Sequence, residues 1–203
     1  MIDTIFFWQD GVITTSIANT AIEQLEDAMG TTLDMDMRLQ IRDWGLDLQL
    51  GRLESPEFCE KVLGLTEAPL RERELFERIQ DGLAPVPGVM EVLQELKGQY
   101  DLWMIGLCPS DWLTPIAQRL DLMPVFPGES ILVCPEAGLD SLIPDVFELA
   151  MQRAAKSIGQ CLLVAPNPAI TTAAVNMGLN AILFADARRL RRELGLRKLL
   201  PPV

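Results

Sequence analysis

Short β-prone runs that end at turn signals, separated by stretches of helical period, constrain this 203-residue chain more than any other feature. Three stand out: "TIFFW" before Asp10-Gly11, "YDLWMIGL" before Pro109-Ser110, and "CLLVA" before Pro166-Asn167-Pro168. Runs this short and apolar predict strands buried on both faces. "SILVC" before Pro135 and "NAILFA" before Asp186 are weaker strand candidates. Between them, "PGVMEVLQELKGQ", "DVFELAMQRAAKSIG" and "PAITTAAVNMG" are amphipathic with helical period, and the last two close on glycine as helices often do. Strands alternating with helices predict an α/β fold with a doubly wound, Rossmann-like parallel sheet covered on both faces.

Residues 14–83 break that rhythm, with no convincing strand and at least three helical patterns. "SIANTAIEQLEDAMG" ends on Gly30, "MDMRLQIRDWGLDLQLG" follows, and "SPEFCEKVLG" opens with Ser55 as expected N-cap and Pro56 at the first helical position. A fourth helix is expected in "PLRERELFERIQDGL". The expected organisation is a core of residues 1–13 plus 84–203, with residues 14–83 inserted as a small helical cap. The closing "LLPPV" reads as a loose tail.

Composition narrows the function classes. At 49% hydrophobic residues the chain is not expected to be disordered. It has no apolar stretch of the roughly 18–20 residues a membrane helix needs and no secretory signal, so a soluble, cytoplasmic protein is expected. A net charge of −12 argues against nucleic-acid and anionic-membrane partners, which it would repel at long range. The absence of histidine removes the usual general base near neutral pH. Cys59, Cys108, Cys134 and Cys161 are widely spaced and read as free, inert thiols. The basic stretch "ADARRLRRELGLRK" suits an acidic partner or, more commonly, a solvated helix pairing with its own carboxylates.

In an open parallel sheet, ligands bind outside the carboxyl ends of the strands, so chemistry is sought just after each apolar run. The first run delivers Trp8-Gln9-Asp10-Gly11-Val12 and the second Gly106-Leu107. "GLDSLIPDVF", Gly138 to Phe147, carries Ser141 in a Gly-Pro-Phe frame, and "LLVAPNP" delivers Ala165-Pro166. Gly51, Phe58, Pro87-Gly88, Ala174, Gly178, Ile182 and Phe184 complete a recurring frame. Together these residues resemble the haloacid dehalogenase (HAD) superfamily of phosphatases and related hydrolases, over nearly the whole chain. The resemblance is closest to members with a small helical cap after the first strand.

That resemblance implies magnesium-dependent hydrolysis through an aspartyl-phosphate, and it implies where the parts belong. The nucleophilic, metal-binding aspartate belongs at Trp8, the general acid at Asp10, the phosphate-binding hydroxyl at Gly106, the lysine at Ser141, and the metal-binding acids at Ala165 and Pro166. Only Asp10 keeps its chemistry. An indole cannot form the covalent intermediate, and magnesium needs hard oxygen ligands. The expectation is therefore a pseudoenzyme with no catalytic residues, no cofactor and magnesium binding lost, acting on an unknown protein partner or by self-association. A hydrolase using relocated groups (Asp10, Cys108 or Lys156) and a metal-free small-molecule sensor stay open as alternatives. Trp8 reads as a plug whose N–H seeks an acceptor such as Asp10, or as an ordinary core tryptophan. Asp10 reads as a turn residue capping nearby N–H groups, or as a leftover general acid.

Overall fold

The structure, a computed structural model, describes residues 1–49, 51–106, 109–133 and 144–201. Its centre is a parallel sheet of β1 (Thr4–Trp8), β2 (Asp101–Gly106), β3 (Ile131–Val133), β4 (Cys161–Ala165) and β5 (Asn180–Leu183), in the order β3-β2-β1-β4-β5. Every residue of β1 and β4 is buried, as a central strand covered on both faces requires. Phe6 pairs in register with Trp103 and Leu163, and Trp8 stands beside Ile105 at the carboxyl end. All five strand expectations are met, the two weaker ones as short flanking strands.

The connections of the sheet carry α5 (Val89–Leu96), α6 (Ser110–Arg119), α7 (Pro144–Ala154), α8 (Pro168–Asn176) and α9 (Ala187–Leu196). Helices α5 and α9 pack on each other, as do α7 and α8. Two local expectations need correction. Helix α7 stops at Ala154, not at Gly159, because Ala155 turns left-handed (φ +53°) and Ser157 caps a short turn that feeds directly into β4. The start of the tail is anchored, since Leu199 and Leu200 are buried.

Between β1 and α5 lie α1 (Ile17–Met29), α2 (Met35–Gln49), α3 (Ser55–Gly64) and α4 (Glu72–Gly82). Helix α1 ends as expected at Gly30, whose left-handed φ of +66° lets its N–H reach the Glu26 carbonyl. Helix α1 packs on α2 and α4, and α3 on α2 and α4. Gly45 is required where α2 crosses α1, because a Cβ there would lie 2.7 Å from the Ala18 Cβ. The chain leaves and re-enters the sheet through two connections lying side by side, with Thr15 N–H donating to the Ala84 carbonyl and Val86 N–H to the Ile13 carbonyl, both at 2.9 Å.

The four helices are also fixed to the sheet's flank. Trp112, on α6, is fully buried between Phe58 of α3 and Phe76 of α4, with ring centroids at 6.4 and 4.6 Å. Its Nε1–H donates to Ser55 Oγ at 2.6 Å, and that hydroxyl donates to Asp111 Oδ1 at 3.0 Å. Ser55 is thus the first residue of α3, not its N-cap, and its hydroxyl serves α6 instead. Ser110 likewise opens α6 from inside, with Pro109 at the cap position. Gln80 Nε2 donates to the Asp111 carbonyl at 2.8 Å, and the Arg119 guanidinium donates to the carbonyls of Gln80 and Leu83. Among the described residues, no helix is long and apolar enough to cross a membrane.

Candidate functional site

The strand order reverses beside β1, between β1 and β4, and the crevice outside their carboxyl ends is where such sheets bind ligands. A cleft of about 400 Å³ opens there, bounded by Trp8, Asp10, Arg42, Gln49, Pro166 and Asn167 among others. The structure therefore brings together three of the predicted positions, Trp8, Asp10 and Pro166.

Trp8 ends β1 and is only 2% exposed. Its ring meets Phe147 of α7 edge-on, with centroids 6.4 Å apart. The expected hydrogen bond from its N–H to Asp10 is not formed; the Asp10 carboxylate is already engaged by other donors. Asp10 Oδ1 accepts from Ile17 N–H at 2.9 Å, and Oδ2 accepts from Gln49 Nε2 at 2.7 Å. Asp10 thus caps the first turn of α1 and ties α2 to the end of β1. The partner Gln49 carries no sequence signal, since it reaches Asp10 only through the packing of α2.

Burial pushes the Asp10 carboxyl up to about 6, against the downward pull of its hydrogen bonds from Ile17, Gln49 and Ser16. The folded protein then holds this proton more tightly than the unfolded chain, whose carboxyl titrates near 3.8. Stability is fully present below about pH 4, falls as the pH rises to about 6, and stays lower above it. Asp10→Asn removes the ionisation and leaves Ile17 N–H an acceptor. The variant is expected to match the wild type near pH 4 and to exceed it by roughly 1–3 kcal/mol near pH 7.5, read from urea unfolding at both pH values. A wild-type advantage that grew with pH would contradict this.

The remaining predicted positions are filled or apolar. A Cβ on Gly106, at the end of β2, would lie 2.7 Å from Leu113 Cδ2, so a leucine occupies the volume a hydroxyl side chain would need. Ala165 is fully buried and pairs with Leu183. Pro166 packs over Gly11, which adopts φ +79° and whose Cβ, if present, would lie 3.3 Å from Pro166 Cβ and Cγ. Ser141, Leu107, Cys108 and Cys134 lie outside the described residues. Lys156 pairs with Asp3 at 3.2 Å, just before β1 and at the opposite end of the sheet from the crest, so it does not replace a site lysine.

The described residues at the crest do not fit magnesium. Among the described residues, Asp10 is the one carboxylate bounding the crest cleft, and both of its oxygens already accept hydrogen bonds. Among the described residues, no group of three His, Cys, Asp or Glu side chains is placed to hold a metal ion. Cys59 and Cys161 are buried thiols pushed up to about 12 and about 11, chiefly by burial, which makes both poor nucleophiles. On α9, Arg191 is held by both carboxylate oxygens of Glu95 at 2.6 and 2.7 Å, and Arg197 bonds Glu193 at 2.6 Å.

No protein-family model and no curated protein sequence matches the chain. Solved structures do. A predicted HAD-like family hydrolase from Porphyromonas gingivalis aligns over 100% of both chains, at 16% identity and a TM-score of 0.72. The putative HAD-hydrolase YfnB from Bacillus subtilis, bound to magnesium, aligns over 96% of this chain and 99% of its own, at 16% identity and 0.71. L-2-haloacid dehalogenase from Xanthobacter autotrophicus aligns over 99% of this chain and 85% of its own, at 18% identity and 0.68. The chain has the haloacid dehalogenase-like fold.

Proposed function

We propose that this chain is a catalytically inactive, cytoplasmic member of the HAD superfamily that works by binding, to a protein partner or to a second copy of itself. The observation that carries the reading is the crest itself. Where the fold's hydrolases are expected to hold a nucleophilic aspartate, a buried indole packs on Phe147. Where a hydroxyl is expected, Leu113 fills the space beside Gly106. Ala165 and Pro166 offer no side-chain oxygen, and loss of magnesium follows in this reading. Hydrolysis of a phosphate monoester asks an enzyme to remove up to roughly 20 kcal/mol or more of barrier. One hydrogen-bonded carboxylate does not supply that.

A second reading has one observation in its favour. Asp10 holds its proton to about pH 6 beside an open cleft, which suits a general acid in a hydrolase built from relocated groups. Turnover of p-nitrophenyl phosphate with magnesium separates the two. The expected result is no rate above buffer for wild type or Asp10→Asn; a magnesium-dependent rate abolished by Asp10→Asn would replace the first reading with the second.

A further inference from the structure

Away from the crest, a cleft of about 280 Å³ lies between α3, α4 and α6, lined by Ser55, Pro56, Cys59, Glu72, Phe76 and Asp111. Its walls differ in kind. Phe76 lines the cleft with its ring held in place against Trp112, while Pro56 adds apolar surface. Cys59 is 1% exposed, lines the cleft, and has no hydrogen-bond partner among the described residues. Glu72 has neither a hydrogen bond nor an ion pair among the described residues, and Asp111 uses only Oδ1, as acceptor from Ser55. Both carboxylates sit in the first turns of their helices, α4 and α6. Both act on this space, since their fields add to burial in pushing the Cys59 thiol up. Among the described residues, the one cation at the cleft is Arg73, drawn outward to Glu77 at 2.9 Å with its side chain 89% exposed.

We propose that this cleft binds a small organic ammonium: a primary or methylated amine on a short apolar body. The charged head would sit between Glu72 and Asp111, with its substituents on Phe76 as a cation–π contact and its body against Pro56 and the neutral Cys59 thiol. The net charge of −12 adds long-range attraction for such a ligand. The site is separate from the crest cleft and does not depend on whether that cleft is catalytic.

The test is titration calorimetry of the full chain with n-butylammonium, tetramethylammonium and 1-butanol at constant ionic strength. The expected result is saturable binding of an ammonium with a Kd below about 1 mM and at least about tenfold tighter than 1-butanol. Glu72→Gln, which removes no hydrogen bond seen in the structure, is expected to weaken it about tenfold, and Asp111→Asn to do likewise. N-acetyl-lysine methylamide identifies the source. Tighter binding than butylammonium assigns the site to a lysine side chain of a partner, and weaker binding assigns it to a free amine. Ammonium binding no tighter than 1-butanol, or an unchanged Kd in Glu72→Gln, overturns the proposal.

Discussion

Trp112→Ala is expected to lower the unfolding free energy by about 3–5 kcal/mol, the usual loss when a large buried aromatic leaves a cavity. The indole has no exposed surface, touches Phe58 and Phe76 from one side of the seam each, and gives its N–H to Ser55. Its loss also leaves the Ser55–Asp111 hydrogen bond opening onto a void. The damage should be local in its dynamics. Gln80, Arg119 and the paired connections at Thr15–Ala84 and Ile13–Val86 still join the two parts of the chain. Amide exchange in α3 and α4 should therefore rise well above that in β1 and β4. Trp112→Phe keeps the ring contacts and should lose only roughly 1–2 kcal/mol for the missing hydrogen bond. A Trp112→Ala loss below about 1 kcal/mol, or a uniform rise in exchange, would show that Trp112 does not join the helical segment to the sheet.

Much of the architecture is legible locally. "TIFFW" and "CLLVA" are too apolar and too short to be anything but central strands, and Gly30 marks the end of α1 because the left-handed turn there favours glycine. Other features depend on distant partners and leave no local trace. Ser55 is followed by proline and reads as an N-cap, yet its hydroxyl is claimed by Trp112 and Asp111 more than 50 residues later. Leu199 and Leu200 read as tail because burial against the core is invisible in a five-residue window. At the crest, the residue types at positions 8, 106, 165 and 166 were readable. That Leu113 fills the space at Gly106, and that Gln49 holds Asp10, was not. Side-chain occupancy of a site is settled by helices that reach it from other parts of the chain.

The account rests on the Trp8 indole occupying the position of the expected nucleophile beside the crest cleft, and Trp8→Asp tests this most directly because it restores the carboxylate that the fold's hydrolases are expected to carry there. The change removes an indole that is 2% exposed, leaves Phe147 without its edge contact, and places a carboxylate in that buried position. The cavity and the desolvated acid together are expected to cost about 4 kcal/mol or more. Measured by urea unfolding with and without 10 mM magnesium, the account predicts that loss in full and no recovery when the ion is added. An aspartate tolerated within about 1 kcal/mol, with magnesium raising the midpoint of unfolding, would mean that the crest still has metal ligands, and it would contradict the account.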